Sequence, residues 1–165
     1  RKWVEALGTV ASLTAQLTTV SRYQIILFNT EARFALPDTQ GRWLEVANSN
    51  ELERGTTAVR ELLPSSGTSL YNAFTFLNQL ESQPDNIFLI TDGLPTQGKD
   101  TPRSNTISGP ARLKHYRKAI DLLPSNVPIN VVLSPMEGDP MAAAEFWKLA
   151  QNTGGSFMAP SEDWP

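Results

Sequence analysis

The chain has 165 residues, 40% of them apolar and 19% charged, which suits one domain able to hide about 70% of its unfolded surface. With 14 basic against 17 acidic residues the net charge is -3, so the broad cationic field that nucleic-acid or anionic-membrane binding requires is lacking. No apolar stretch approaches the ~20 residues that cross a bilayer, and zero cysteines exclude disulfides, zinc thiolates, iron-sulfur clusters and thiol catalysis without fixing a compartment.

Trp3, Leu7, Val10, Thr14 and Leu17 recur at steps of three and four, predicting a helix with one buried stripe up to about Thr18. Tyr23 to Phe28 is a β-branched and aromatic run, and Arg33 to Leu36 alternates as an edge strand pairing back in a hairpin. A polar helix is predicted from Asn48 to Leu63, with Ser49 or Asn50 as its cap and Pro64 closing it. Next, Ser65-Ser66-Gly67-Thr68-Ser69 leads into a helix carrying Leu70, Ala73, Phe74, Leu77 and Leu80 on one face.

Asn86-Ile87-Phe88-Leu89-Ile90-Thr91-Asp92-Gly93 follows, an apolar run that ends in one carboxylate and a glycine. It reads as a strand buried on both faces, with Asp92 at its carboxyl end, where open α/β sheets place their ligand crevices. The hydroxyls before the Leu70 helix and this carboxylate make a site for a hard cation of the magnesium type. Leu94 to Ala111, rich in glycine, proline and serine, reads as a long loop leaving the same edge.

Pro110 suits a first helical turn, and Leu113, Tyr116, Ile120 and Leu123 give the helix that follows. In that helix Arg112, Lys114, His115, Arg117 and Lys118 read as a solvated basic face. Val127 to Leu133 is the next strand. A helix from Met141 to Gln151 ends at Gly154, with Trp3 and Trp147 read as packing residues, and Ser156 to Ala159 closes the chain as a strand. Glu137 and Asp139, in the turn before that helix, read either as solvated turn residues or as part of a partner surface near the ion. Strands alternating with helices of this length predict a doubly wound, mostly parallel sheet with helices on both faces. No phosphate-binding Gly-x-x-x-x-Gly-Lys, dinucleotide Gly-x-Gly-x-x-Gly or Gly-x-Ser-x-Gly elbow is present.

Four segments resemble, in order and spacing, a von Willebrand factor type A domain: Tyr23 to Phe34, Gly67-Thr68-Ser69-Leu70-Tyr71-Asn72-Ala73, Ile90-Thr91-Asp92-Gly93-Leu94-Pro95-Thr96, and Leu149 to Phe157. The resemblance covers nearly the whole chain. It implies a Rossmann-like fold and a metal-ion-dependent adhesion site (MIDAS), with Thr68 matching the ligand of the second loop and Asp92 that of the third. The first loop of that family, Asp-x-Ser-x-Ser after a central strand, has no match in the chain. Residues 1–165 are therefore expected to form a single domain of this type, incomplete at its amino end, without that strand and three of five ligands.

The resemblance implies a non-enzymatic protein-binding module, acting in adhesion or assembly, that holds Mg2+ or another divalent ion such as Mn2+ or Ca2+. An acidic side chain of a protein partner would complete the metal's shell. Thr68 and Asp92 are the expected ligands, and Ser66, Gly67 and Gly93 shape their loops. Two alternatives stand beside this: a metal-free scaffold of the same fold, and a magnesium-dependent phosphoryl-transfer enzyme, which would need a nucleophile or phosphate cradle that no strand end supplies.

Overall fold

The structure, a computed structural model, describes residues 2–18, 21–62, 67–134 and 139–159. The chain opens in helix α1 (Lys2–Gln16), whose Leu7 packs with Ile25, Leu27, Ala35 and Val59. The predicted Tyr23 to Phe28 strand is two short pieces, β1 (Arg22–Tyr23) and β2 (Ile26–Phe28). Gln24 interrupts it by turning its own amide inward: its Oε1 accepts from Ile25 N at 2.9 Å, and its Nε2 donates to Arg42 O at 2.9 Å.

Strand β2 forms an antiparallel hairpin with β3 (Ala32–Phe34), and β1 pairs antiparallel with β4 (Leu44–Glu45) beyond a 3-10 turn at Pro37–Thr39. Helix α2 (Ser49–Arg60) is capped by the Asn48 side chain, which accepts from Glu51 N, one residue earlier than expected. Helices lie on both faces of the hairpin. Leu27 and Ala35 meet Leu7 and Val59 on one side, while on the other the Phe34 ring lies 5.6 Å from that of Phe76 in α3 (Leu70–Leu77).

The second half builds the parallel sheet: β5 (Ile87–Thr91), β6 (Ile129–Leu133) and β7 (Phe157–Met158), in the order β5-β6-β7. Helices α3, α4 (Gly109–Ile120) and α5 (Ala142–Thr153) supply one continuous core with its inner face, including Leu70, Phe74, Leu89, Tyr116, Ile129, Val131, Leu133 and Phe146. Tyr116 and Phe146 meet edge-on with ring centroids 5.3 Å apart, and the Tyr116 hydroxyl donates to Glu145 O at 3.0 Å. Helix α5 stops where Gly154 adopts φ +76°, the left-handed cap the sequence predicts.

The doubly wound expectation holds only in its coarse form. The molecule is α/β with a partly parallel sheet, and among the described residues no ladder joins β2 to β5. Nor is β5 buried on both faces, because Phe88 is 47% exposed and Met158 of β7, on the same face, 55% exposed. Trp147, read as a packing residue, is 52% exposed: it sits one position beyond buried Phe146 and so points off the core face. The Trp3 side chain lies outside the described residues. Among the described residues no helix is long and apolar enough to cross a membrane.

Candidate functional site

Five register pairs, from Ile87 with Ile129 to Thr91 with Leu133, hold β5 against β6, and Ser134 N donates to Thr91 O at 2.9 Å. The strand ends there, leaving Asp92 half-buried at the carboxyl edge. Gly93, Leu94 and Pro95 turn inward and are buried.

An ion pair fixes that turn. Arg112 Nη2 of α4 lies 2.9 Å from Asp139 Oδ2, with side chains only 12% and 4% exposed. The same Asp139 oxygen accepts from Leu94 N at 2.7 Å, and Arg112 donates from both Nε and Nη2 to Leu94 O. A buried pair repays its desolvation only when further hydrogen bonds satisfy it, and the Leu94 peptide provides them from both its ends. Gly93 is what admits the pair, since a Cβ there would fall 2.7 Å from Asp139 Oδ2 and 3.1 Å from Arg112 Nη2.

Thr68 reaches the same edge from the entrance of α3. Gly67 precedes it with φ +93°, and a Cβ on Gly67 would collide with Thr30 Cγ2 at 2.6 Å. Thr68 N donates to Thr96 Oγ1 at 2.9 Å, and Thr68 O accepts from Thr96 N at 2.9 Å and Gln97 N at 3.2 Å. The loop before α3 and the loop after β5 are thus laced through their backbones. The α3 cap is Ser69 and not Thr68: Ser69 Oγ accepts from Asn72 N at 3.1 Å and donates to Gly98 O at 2.6 Å. Asn72 Nδ2 and Gln97 Nε2 both donate to Thr30 O, at 2.8 and 3.0 Å, so the end of β2 joins the same knot.

With capping done by Ser69, the Thr68 hydroxyl has no partner among the described residues, and neither has the Asp92 carboxylate. His115 lies one loop further out, with Nδ1 3.2 Å from where a Gly98 Cβ would stand. Partial burial, and then the charges of Lys118 and Lys114, hold its imidazole below the usual histidine range.

Thr68 and Asp92 lie in loops at the same edge of the sheet, next to Gly67 and Gly93, while Ser66 and Glu137 lie outside the described residues. Asp139 departs from both readings of it: the carboxylate is neither a solvated turn residue nor part of a partner surface, because it is consumed by Arg112 and Leu94 N. Arg112 likewise leaves the solvated basic face to which its charged neighbours suggested it belongs. Its position four residues before buried Tyr116, on the same side of the helix, was the available signal. Sequence reasoning assigns no role to Thr96, Gln97 or Asn72, although Asn72 and Thr96 lie within the segments that carry the resemblance and Gln97 follows one of them. No group of three His, Cys, Asp or Glu side chains able to hold a metal occurs among the described residues.

No protein-family model matches the sequence, and no curated protein matches it. Among solved structures the chain is similar to a von Willebrand factor type A protein from Catenulispora acidiphila, with a TM-score of 0.72 and 18% identity over 98% of this chain. It spans 35% of that protein's length. The chain has the von Willebrand factor type A-like fold.

Proposed function

We propose that this domain is a non-enzymatic protein-binding module, serving adhesion or assembly, that presents a divalent cation at the carboxyl edge of its sheet. The observation that carries the reading is a pair of oxygens without partners among the described residues, the Thr68 hydroxyl and the Asp92 carboxylate, on two loops tied through Thr96. Both are hard donors, as Mg2+ prefers, and Mn2+ or Ca2+ would also accept them. Mg2+ takes about six oxygens and readily keeps several waters, so two protein ligands leave room for water, for groups outside the described residues and for a partner's carboxylate. When bound, the ion supplies a positive centre to which that carboxylate coordinates, and no bond is made or broken. Thr68 and Asp92 would hold the ion, and the 94–108 loop would border the partner's approach.

Calorimetry tests this with Mg2+ and then a short acidic peptide as probes. The expected result is saturable Mg2+ binding, followed by peptide binding that chelation abolishes. Peptide binding that survives chelation, or Mg2+ binding unchanged in Asp92→Ala, contradicts it.

A second reading, a metal-free assembly scaffold, is favoured by one observation: β2 and β5 each keep an edge that pairs with nothing among the described residues. Such edges recruit strands from other chains. Assembly that proceeds equally well in chelator would favour this reading.

A further inference from the structure

We infer that Arg112 and Asp139 are positioning residues for the Asp92 site: they hold both the backbone N–H and the backbone C=O of Leu94 and so set where the Asp92 carboxylate stands. The inference rests on the proposed metal site and adds to it two residues that touch neither ion nor partner.

Three separated parts of the chain meet at this point. Leu94 follows the β5 exit by three residues, Arg112 lies in the first turns of α4, and Asp139 comes after β6, just before α5. One Asp139 oxygen serves both Leu94 N at 2.7 Å and Arg112 Nη2 at 2.9 Å, and the guanidinium completes the ring by donating to Leu94 O. The peptide two residues past Asp92 is thereby clamped on both sides. Gly93, between Asp92 and the clamp, has no side chain because the clamp occupies that space. Asp92 is thus bounded by the β5 ladder before it and this closed ring after it, with Gly93 the one residue between Asp92 and Leu94.

The arrangement also divides the labour among carboxylates. Asp139 is neutralised by Arg112 and turned inward, whereas the Asp92 oxygens have no partner among the described residues. Since an ion must be met by donors already in place, a loop free to swing at Leu94 would bind more weakly even with every ligand present.

Amide hydrogen exchange of the whole chain, read together with Mn2+ affinity, tests the inference. In Arg112→Met, exchange at the Leu94 amide is expected to rise at least about tenfold and Mn2+ affinity to fall about tenfold, the lower end of the effect seen when residues behind metal ligands are removed. The amides of Leu89 and Val131 should keep their original rates, which separates positioning from general destabilisation. Asp139→Asn retains an acceptor for Leu94 N and should give a smaller change in both readouts, and it carries the test if Arg112→Met fails to fold. Raised Leu94 exchange with unchanged Mn2+ affinity overturns the positioning role alone, provided Asp92→Ala still loses the ion. If Asp92→Ala binds Mn2+ as before, the metal site itself fails and this inference falls with it.

Discussion

Thr68 and Thr96 exchange hydrogen bonds across the sheet edge, Thr68 N to Thr96 Oγ1 and Thr96 N to Thr68 O, each at 2.9 Å. The exchange uses the backbone of Thr68 and the hydroxyl of Thr96, while the hydroxyl of Thr68 has no partner among the described residues. It fastens the loop before α3 to the loop that follows Asp92.

Thr96→Val keeps the shape and removes the acceptor, leaving Thr68 N without its partner. An unsatisfied, partly buried amide costs about 1–3 kcal/mol. Urea denaturation should show a loss in that range with an unchanged slope, and Mn2+ should bind more weakly although no ligand has been altered.

Ser69 and Thr68 are neighbours with opposite roles, and substitution should separate them. Ser69 is fully buried, caps α3 and donates to Gly98 O, so Ser69→Ala should cost about 1–2 kcal/mol of stability. Thr68→Val removes a hydroxyl with no partner among the described residues and should stay within about 0.5 kcal/mol of the parent, while weakening ion binding. Denaturation and Mn2+ titration of the two variants should give inverse rankings.

Gly93→Ala places a methyl carbon 2.7 Å from Asp139 Oδ2. The ion pair must open or the turn must shift, at a cost of about 1–3 kcal/mol, comparable to overpacking elsewhere in a core. Exchange at the Leu94 amide should rise as in Arg112→Met, and wild-type exchange there would mean that the turn absorbs the methyl without opening the clamp.

His115 gives the pH dependence a definite sign. Its pKa is lowered in the fold by burial first and by Lys118 and Lys114 second, so the unfolded chain takes up the proton more readily. Its effect is absent above the unfolded value, near 6.5, and stability falls as pH drops through 6.5 toward the lower folded value, then levels off. Much of the ring is solvated, so the change is small. Thermal unfolding at pH 5 and pH 7.5 should show His115→Gln losing less on acidification than the parent.

The readable parts of this sequence were those where one physical signal acts alone. Gly154 announced the end of α5, Asp92 followed an unbroken apolar run, and Leu70, Ala73, Phe74 and Leu77 repeated at helical spacing. Strand β4 escaped because two residues, Leu44 and Glu45, are too few to show an alternation. The break between β1 and β2 depends on where one glutamine side chain turns, which spacing does not reveal. At the candidate site, residue type and local order placed Thr68 at a helix entrance and Asp92 at a strand exit, each beside a glycine, and that placement is what the structure has. Arg112 and Asp139 were not legible, because their roles come from a contact across 27 positions of chain, and in local sequence each resembles a solvated charge.

Paramagnetic broadening by substoichiometric Mn2+ tests the central claim most directly, since it reports which amides surround the ion. The strongest broadening is expected together at Thr68 and Asp92, falling off through Thr96 and Gly93, with all of it lost in Asp92→Ala. Broadening centred on other acidic residues, or equal in Asp92→Ala, would contradict that claim.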